Sequence, residues 1–99
     1  MPGTLHQILS ADPRPVSECL AIAQAGDLFV LADDGVVLID HSWPELSSGL
    51  PEKSRVMASS PDLAARGLER LAGEQGITAA SDREWLALVI DCERVLSWK

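Results

Sequence analysis

Leu28-Phe29-Val30-Leu31-Ala32 is an unbroken apolar run of strand length, entered through Gly26-Asp27 and left through Asp33-Asp34-Gly35. A strand that alternates apolar and polar residues can leave one face in water. A strand apolar at every position needs both faces covered, the condition met where helices flank a parallel sheet. The run therefore predicts a layered α/β fold, and the rest of the chain has to supply the helices that cover it.

The flanking segments have that character. Leu5, Ile8 and Leu9 form a short apolar stretch broken by Asp12-Pro13-Arg14-Pro15, and Pro15 suits the first residue of a helix, where its missing N–H costs nothing. Val16, Cys19, Leu20 and Ala23 then recur at i, i+3, i+4 and i+7. This is one stripe turned toward the core or a partner, with Gly26 as its left-handed stop. Val36 to Ile39 is β-branched and follows Asp34-Gly35, a hairpin signal, although a short helix fits the same residues. Residues 41–53 read as a loop through Pro44, Ser47-Ser48-Gly49 and Pro51, pinned to the body by Trp43, and Arg55 to Ala58 reads as the next strand.

Ser60-Pro61-Asp62 opens a helix with Ser60 as cap, and its stripe of Ala64, Leu68 and Leu71 is expected to bend or break at Gly67. Ile77 to Ala80 is a short strand, and Ser81-Asp82-Arg83-Glu84 is a capping box. The helix that follows carries two apolar stripes, Trp85, Leu88, Val89 and Cys92 on one side and Leu86 and Ile90 on another, so its outer face is expected to be covered. Arg94 to Trp98 closes the chain as a strand. The expectation is one domain over residues 1–99, with three α/β/α layers around a mostly parallel sheet of about five strands. Sites in such a fold gather at the carboxyl ends of the strands, an edge that would include Asp33-Asp34-Gly35.

Charge narrows the function classes. A net charge of −7, with eight basic residues scattered singly, leaves no stripe to neutralise a phosphate backbone, so direct nucleic-acid binding is not expected. Met1 to Ser10 lacks the basic region of a signal peptide, and no apolar run reaches the roughly 20 residues that span a bilayer. A cytosolic chain without a membrane segment is the expectation, and in that compartment Cys19 and Cys92 stay reduced.

Cys19 is the leading candidate for chemistry. A sulfur carrier needs thiolate character, which a helix N-terminus or a cation can supply. Cys19 falls beyond the strongest part of a helix dipole, beside Glu18, with Arg14 the only nearby cation. Two roles fit it, a packed small hydrophobe and a persulfide carrier. Cys92, between Asp91 and Glu93, reads as structural. Asp40-His41-Ser42 has the residue types of a hydrolase triad, but adjacent side chains project apart, so a surface turn is expected. No Cys-x-x-Cys pair, zinc spacing or Gly-rich phosphate loop occurs, so no metal and no cofactor is expected, and His6 is read as capping or buttressing a loop near the first strand. Arg66, beside a helix end, suits capping or an interface, and Trp85 and Trp98 are interface candidates.

Leu5-His6, Glu18-Cys19-Leu20 leading to Gly26, Asp34-Gly35-Val36, Asp62-Leu63-Ala64-Ala65-Arg66-Gly67 and Val95-Leu96-Ser97-Trp98 occur in an order and spacing that resemble the DsrH/TusB family over nearly the whole chain. The resemblance implies a small α/β subunit that joins TusC/DsrF-like and TusD/DsrE-like proteins in a heterohexamer. Such a complex passes persulfide sulfur to a TusE/DsrC-type acceptor, for 2-thiolation of the tRNA wobble uridine in one branch and for sulfur oxidation in the other. The principal sulfur-carrying cysteine belongs to the TusD/DsrE-type partner. Cys19 matches the members that bear a cysteine in the first helix, as an auxiliary carrier. The alternative is a cytosolic binding module with inert cysteines.

Overall fold

The structure is a computed structural model and describes residues 3–99; Met1 and Pro2, the first residues of the leader reading, lie outside it. Five parallel strands, β1 (Thr4–Ile8), β2 (Leu28–Leu31), β3 (Arg55–Ser59), β4 (Thr78–Ala80) and β5 (Arg94–Trp98), form one sheet in the order β4-β3-β2-β1-β5. The apolar run that set the expectation is the central strand, buried at all four positions, with β1 and β3 on its two sides. The α/β expectation with about five strands therefore holds, and the sheet is wholly parallel.

Side-chain alternation sends the strands' residues to two separate cores. Ile8, Phe29, Leu31 and Ala58 face one side, where they meet Val16 and Cys19 of α1 (Pro13–Ile22), Leu38 and Ile39 of α2 (Leu38–His41), Trp43 of α3 (Trp43–Ser47), Leu63 of α4 (Ser60–Arg66) and Ala72 of α5 (Glu69–Glu74). Leu5, Leu28, Val30, Ala32, Met57 and Ala80 face the other side, and α6 (Asp82–Asp91) with Cys92 is all that covers them. Among the described residues five helices serve one face and a single helix serves the other.

Several local expectations are corrected. Helix α1 starts at Pro13, capped by Asp12, whose carboxylate accepts the Arg14 N–H at 2.9 Å, so Pro15 is not its first residue. It ends at Ile22, and Gly26, with φ +84°, shapes the turn into β2 three residues after the extended cap Ala23 rather than stopping the helix. Of the two readings open for Val36 to Ile39 the helical one holds and the hairpin strand does not: a 3₁₀ segment over Asp33–Val37 runs into α2. Hairpin chemistry loses here because β2 already has parallel neighbours on both sides, leaving the segment to pack over the sheet instead. Gly35 enables that packing, since a Cβ there would sit 2.1 Å from the Ile8 carbonyl oxygen. The 41–53 stretch holds a short helix, α3, and Trp43 pins it by burial in the core, as expected. The cap of α4 is Ser59, one residue before the expected Ser60. The helical break at Gly67 (φ +66°), the capping box at Ser81 and the final strand are as expected.

Candidate functional site

The chemistry-bearing side chains fall into three places. The first is a buried polar triad under α1, built by β1, β2 and β5. His6 and Asp27 are both buried, and His6 Nε2 lies 2.9 Å from Asp27 Oδ2. Trp98 Nε1–H donates to His6 Nδ1 at 3.1 Å. An indole nitrogen can only donate, so Nδ1 accepts, the ring proton sits on Nε2, and Nε2 donates to Asp27. Phe29 stacks on the imidazole with centroids 5.0 Å apart. Asp27 also accepts the backbone N–H of Gln24 at 3.0 Å and of Thr4 at 3.4 Å. Burial pushes the Asp27 carboxyl up, but the hydrogen bonds from Gln24, His6 and Thr4 outweigh it and hold the carboxyl below its ordinary value. With every polar atom engaged within the chain, the triad ties three strands together and presents no free nucleophile or base.

Cys19 lies on the same side of the sheet with 0% of its surface exposed. Burial, aided by the negative charge of Asp27, pushes its thiol up to about 12. The earlier start of α1 moves Cys19 further from the helix N-terminus than the sequence implied, and Arg14, the cation nearest in sequence, is held by Asp12 at 2.6 Å. Nothing around the thiol favours its thiolate. Cys92 is buried in the core on the opposite face, and burial with Asp91 and Asp27 pushes its thiol up as well. The sheet separates the two cysteines, and both are free.

The second place is the carboxyl edge of β2 and β3. Asp33, at φ +53°, donates its N–H to Asp62 Oδ2 at 2.7 Å, and Arg66 pairs with Asp34 Oδ1 at 2.6 Å. The Asp33-Asp34-Gly35 edge and the Asp62 to Gly67 motif are therefore one internal lock, and the partner of Arg66 is this chain's own Asp34. A separate cleft at the start of α1, lined by Asp12, Arg14, Ser17, Glu18 and Lys99, is broad and open. His41 pairs with Asp40 at 3.2 Å; the tripeptide is exposed at Asp40 and His41, as expected, but these two residues end helix α2 rather than form a turn. Among the described residues no three His, Cys, Asp or Glu side chains converge to hold a metal ion.

The third place is α6. Trp85 Nε1–H donates to Gln7 Oε1 at 2.9 Å, and Gln7 donates in turn to Ser97 Oγ at 2.9 Å. Leu86 and Ile90 stand 59% and 73% exposed. Of the residues singled out from sequence, Trp98 joins the triad, Arg66 the acidic lock and Trp85 the α6 groove, while Cys19 stays apart from the second thiol. Asp27 was missed as a site residue. Its signal was an acid heading an otherwise apolar strand, where burial demands a partner. The buttressing role read for His6 takes the form of its bond to Asp27.

A family model described as DsrH like protein matches residues 10–95, which covers α1 through α6 and the first two residues of β5. No curated protein matches the chain.

Proposed function

Because this chain belongs to the DsrH-like family and is thereby a subunit of a multi-subunit sulfur-relay system, we propose that it contributes assembly rather than a sulfur-carrying thiol. The carrying observation is Cys19, wholly enclosed with its thiol pushed up to about 12. A persulfide carrier must meet an incoming sulfane sulfur as an accessible thiolate. Cys19 instead fills core volume beside Val16 on the sheet-facing side of α1, the use to which free cysteines are often put. The reading takes residues 1–99 as one DsrH/TusB-like domain within a heterohexamer with TusC/DsrF-like and TusD/DsrE-like subunits. Those sisters supply the carrier cysteine, and a TusE/DsrC-type protein accepts the sulfur. Thiolation of the tRNA wobble uridine is the destination assigned, on family resemblance alone.

The acidic surface supports an indirect relation to tRNA, through an acceptor rather than by contact. Among the described residues no helix is long and apolar enough to cross a membrane. The test is a sulfur-loading experiment on the co-expressed complex. After exposure to a persulfide donor, intact mass should show the added sulfur on the TusD/DsrE-like subunit and none on this chain, and Cys19→Ala should leave transfer to the acceptor unchanged. One sulfur on this chain that disappears in Cys19→Ala would assign the carrier role to Cys19. No complex with the sister subunits would defeat the assembly reading itself.

A further inference from the structure

A parallel sheet needs cover on both faces, and the face served by α6 is only partly covered. Five strands spaced by 4.8 Å span about 19 Å, whereas one helix shields a band of about 10 Å. The less covered part runs along β1 and β5, where Gln7, Leu9 and Val95 are only partly buried and Ser97 is exposed. Beside α6 this strip becomes a groove of about 280 Å³ lined by Gln7, Asp82, Trp85, Leu86 and Val89. The groove is mainly apolar, and the one amide on its floor, Gln7, is satisfied through the Trp85–Gln7–Ser97 chain of hydrogen bonds. Its wall on α6 is Asp82, Trp85, Leu86 and Val89, and the exposed Ile90 continues the Asp82–Leu86 row one turn beyond it, spaced i, i+4, i+8 along one flank of the helix.

That row decides what can sit there. Exposed leucine and isoleucine one turn apart, beside an apolar groove, form an interaction surface rather than scattered surface hydrophobes. A second copy of this chain fits it poorly. Antiparallel pairing would set the Asp82 carboxylate of each copy against the other's Ile90, and parallel pairing would set Asp82 against Asp82. Either arrangement buries an unpaired acid between chains that each carry −7. The complementary occupant is a helix of different sequence.

We infer that the groove between α6 and β1–β5 seats a helix of a sister subunit, apolar where it meets Leu86 and Ile90 and bearing a lysine or arginine opposite Asp82. The inference rests on the assembly reading above and adds the surface and the chemistry of the partner. The test uses this chain co-expressed with the TusC/DsrF-like and TusD/DsrE-like proteins, and measures dissociation of the purified complex. Leu86→Glu and Asp82→Lys should each weaken the complex tenfold or more, and added salt should weaken the wild-type complex more than it weakens Asp82→Lys. Ile22→Ser, which alters an exposed side chain on α1 across the sheet, should leave the complex intact. Circular dichroism and thermal melting of each free variant check that it folds.

A wild-type complex undisturbed by Leu86→Glu would overturn the inference while leaving the assembly reading standing. So would a wild-type homodimer that Leu86→Glu splits, since it would put a second copy in the groove. Failure of the wild type to bind either sister would remove both.

Discussion

The two faces of the sheet differ in how they are closed. On the face served by α1 to α5, cysteine, histidine and tryptophan meet in a packed interior in which Cys19 has no exposed surface and the His6–Asp27–Trp98 triad is saturated. On the face served by α6, the helix has no fully buried residue of its own and turns two large aliphatic side chains to solvent. The face that holds Cys19 and the triad is chemically shut, and the face served by α6, where Cys92 is buried, is physically open at the outer flank of the helix. In a relay subunit this separates holding a shape from meeting a partner.

Substitutions can break that contrast, and the largest effect should come from the closed face. Gly35→Ala would drive a Cβ into the Ile8 carbonyl and pry the 3₁₀ segment off β1, at a cost of about 4 kcal/mol measured by denaturant unfolding. A loss below about 1 kcal/mol would mean this closure is looser than described.

Asp27→Ala comes next, at about 3 kcal/mol, because it strands the His6 Nε2–H and the Gln24 N–H. In the wild type the Asp27 carboxyl lies below its ordinary value, so the stability it adds is present above the pKa of an unfolded aspartate. That stability is lost as pH falls through the folded value. Asp27→Ala should therefore flatten the acid limb of a stability-against-pH curve, and an unchanged acid limb would contradict the triad.

Cys19 predicts the opposite limb. Its thiol goes from an ordinary 9.0 to about 12 in the fold. Between those values the unfolded chain releases a proton that the folded chain keeps, so stability drops by about 1.4 kcal/mol per pH unit. At about pH 10.5 the wild type should have lost about 2 kcal/mol that Cys19→Ala retains, relative to each protein at neutral pH. Parallel curves for the two proteins would show Cys19 to be accessible to water. The smallest effect belongs to the open face: Leu86→Ser should move the stability of the free chain by no more than about 0.5 kcal/mol. A larger loss would mean that Leu86 is already packed within the chain.

The same contrast explains what sequence could reveal. Leu28 to Leu31 announced a central parallel strand because full burial leaves no alternation; the double stripe of α6 predicted a covered outer face, and within this chain Leu86 and Ile90 stand exposed instead. Pattern reports burial well. It reports pairing poorly: Asp27 and His6 are 21 residues apart and His6 and Trp98 are 92 apart, and only the sheet order brings them together. Arg66 was legible as a helix-end cation but its partner Asp34 was not, for the same reason. Gly35 was read as turn chemistry because the close approach of β1 cannot be seen from its neighbours in sequence.

Amide hydrogen exchange, followed on the free chain and on the co-expressed complex, tests the division of labour most directly. Assembly should slow exchange in α6 and along β5, where β5 has a neighbour on one side only, and should leave α1 around Cys19 unchanged. Slowing confined to α1, with α6 and β5 exchanging as they do in the free chain, would place the partner on the wrong face and contradict the account.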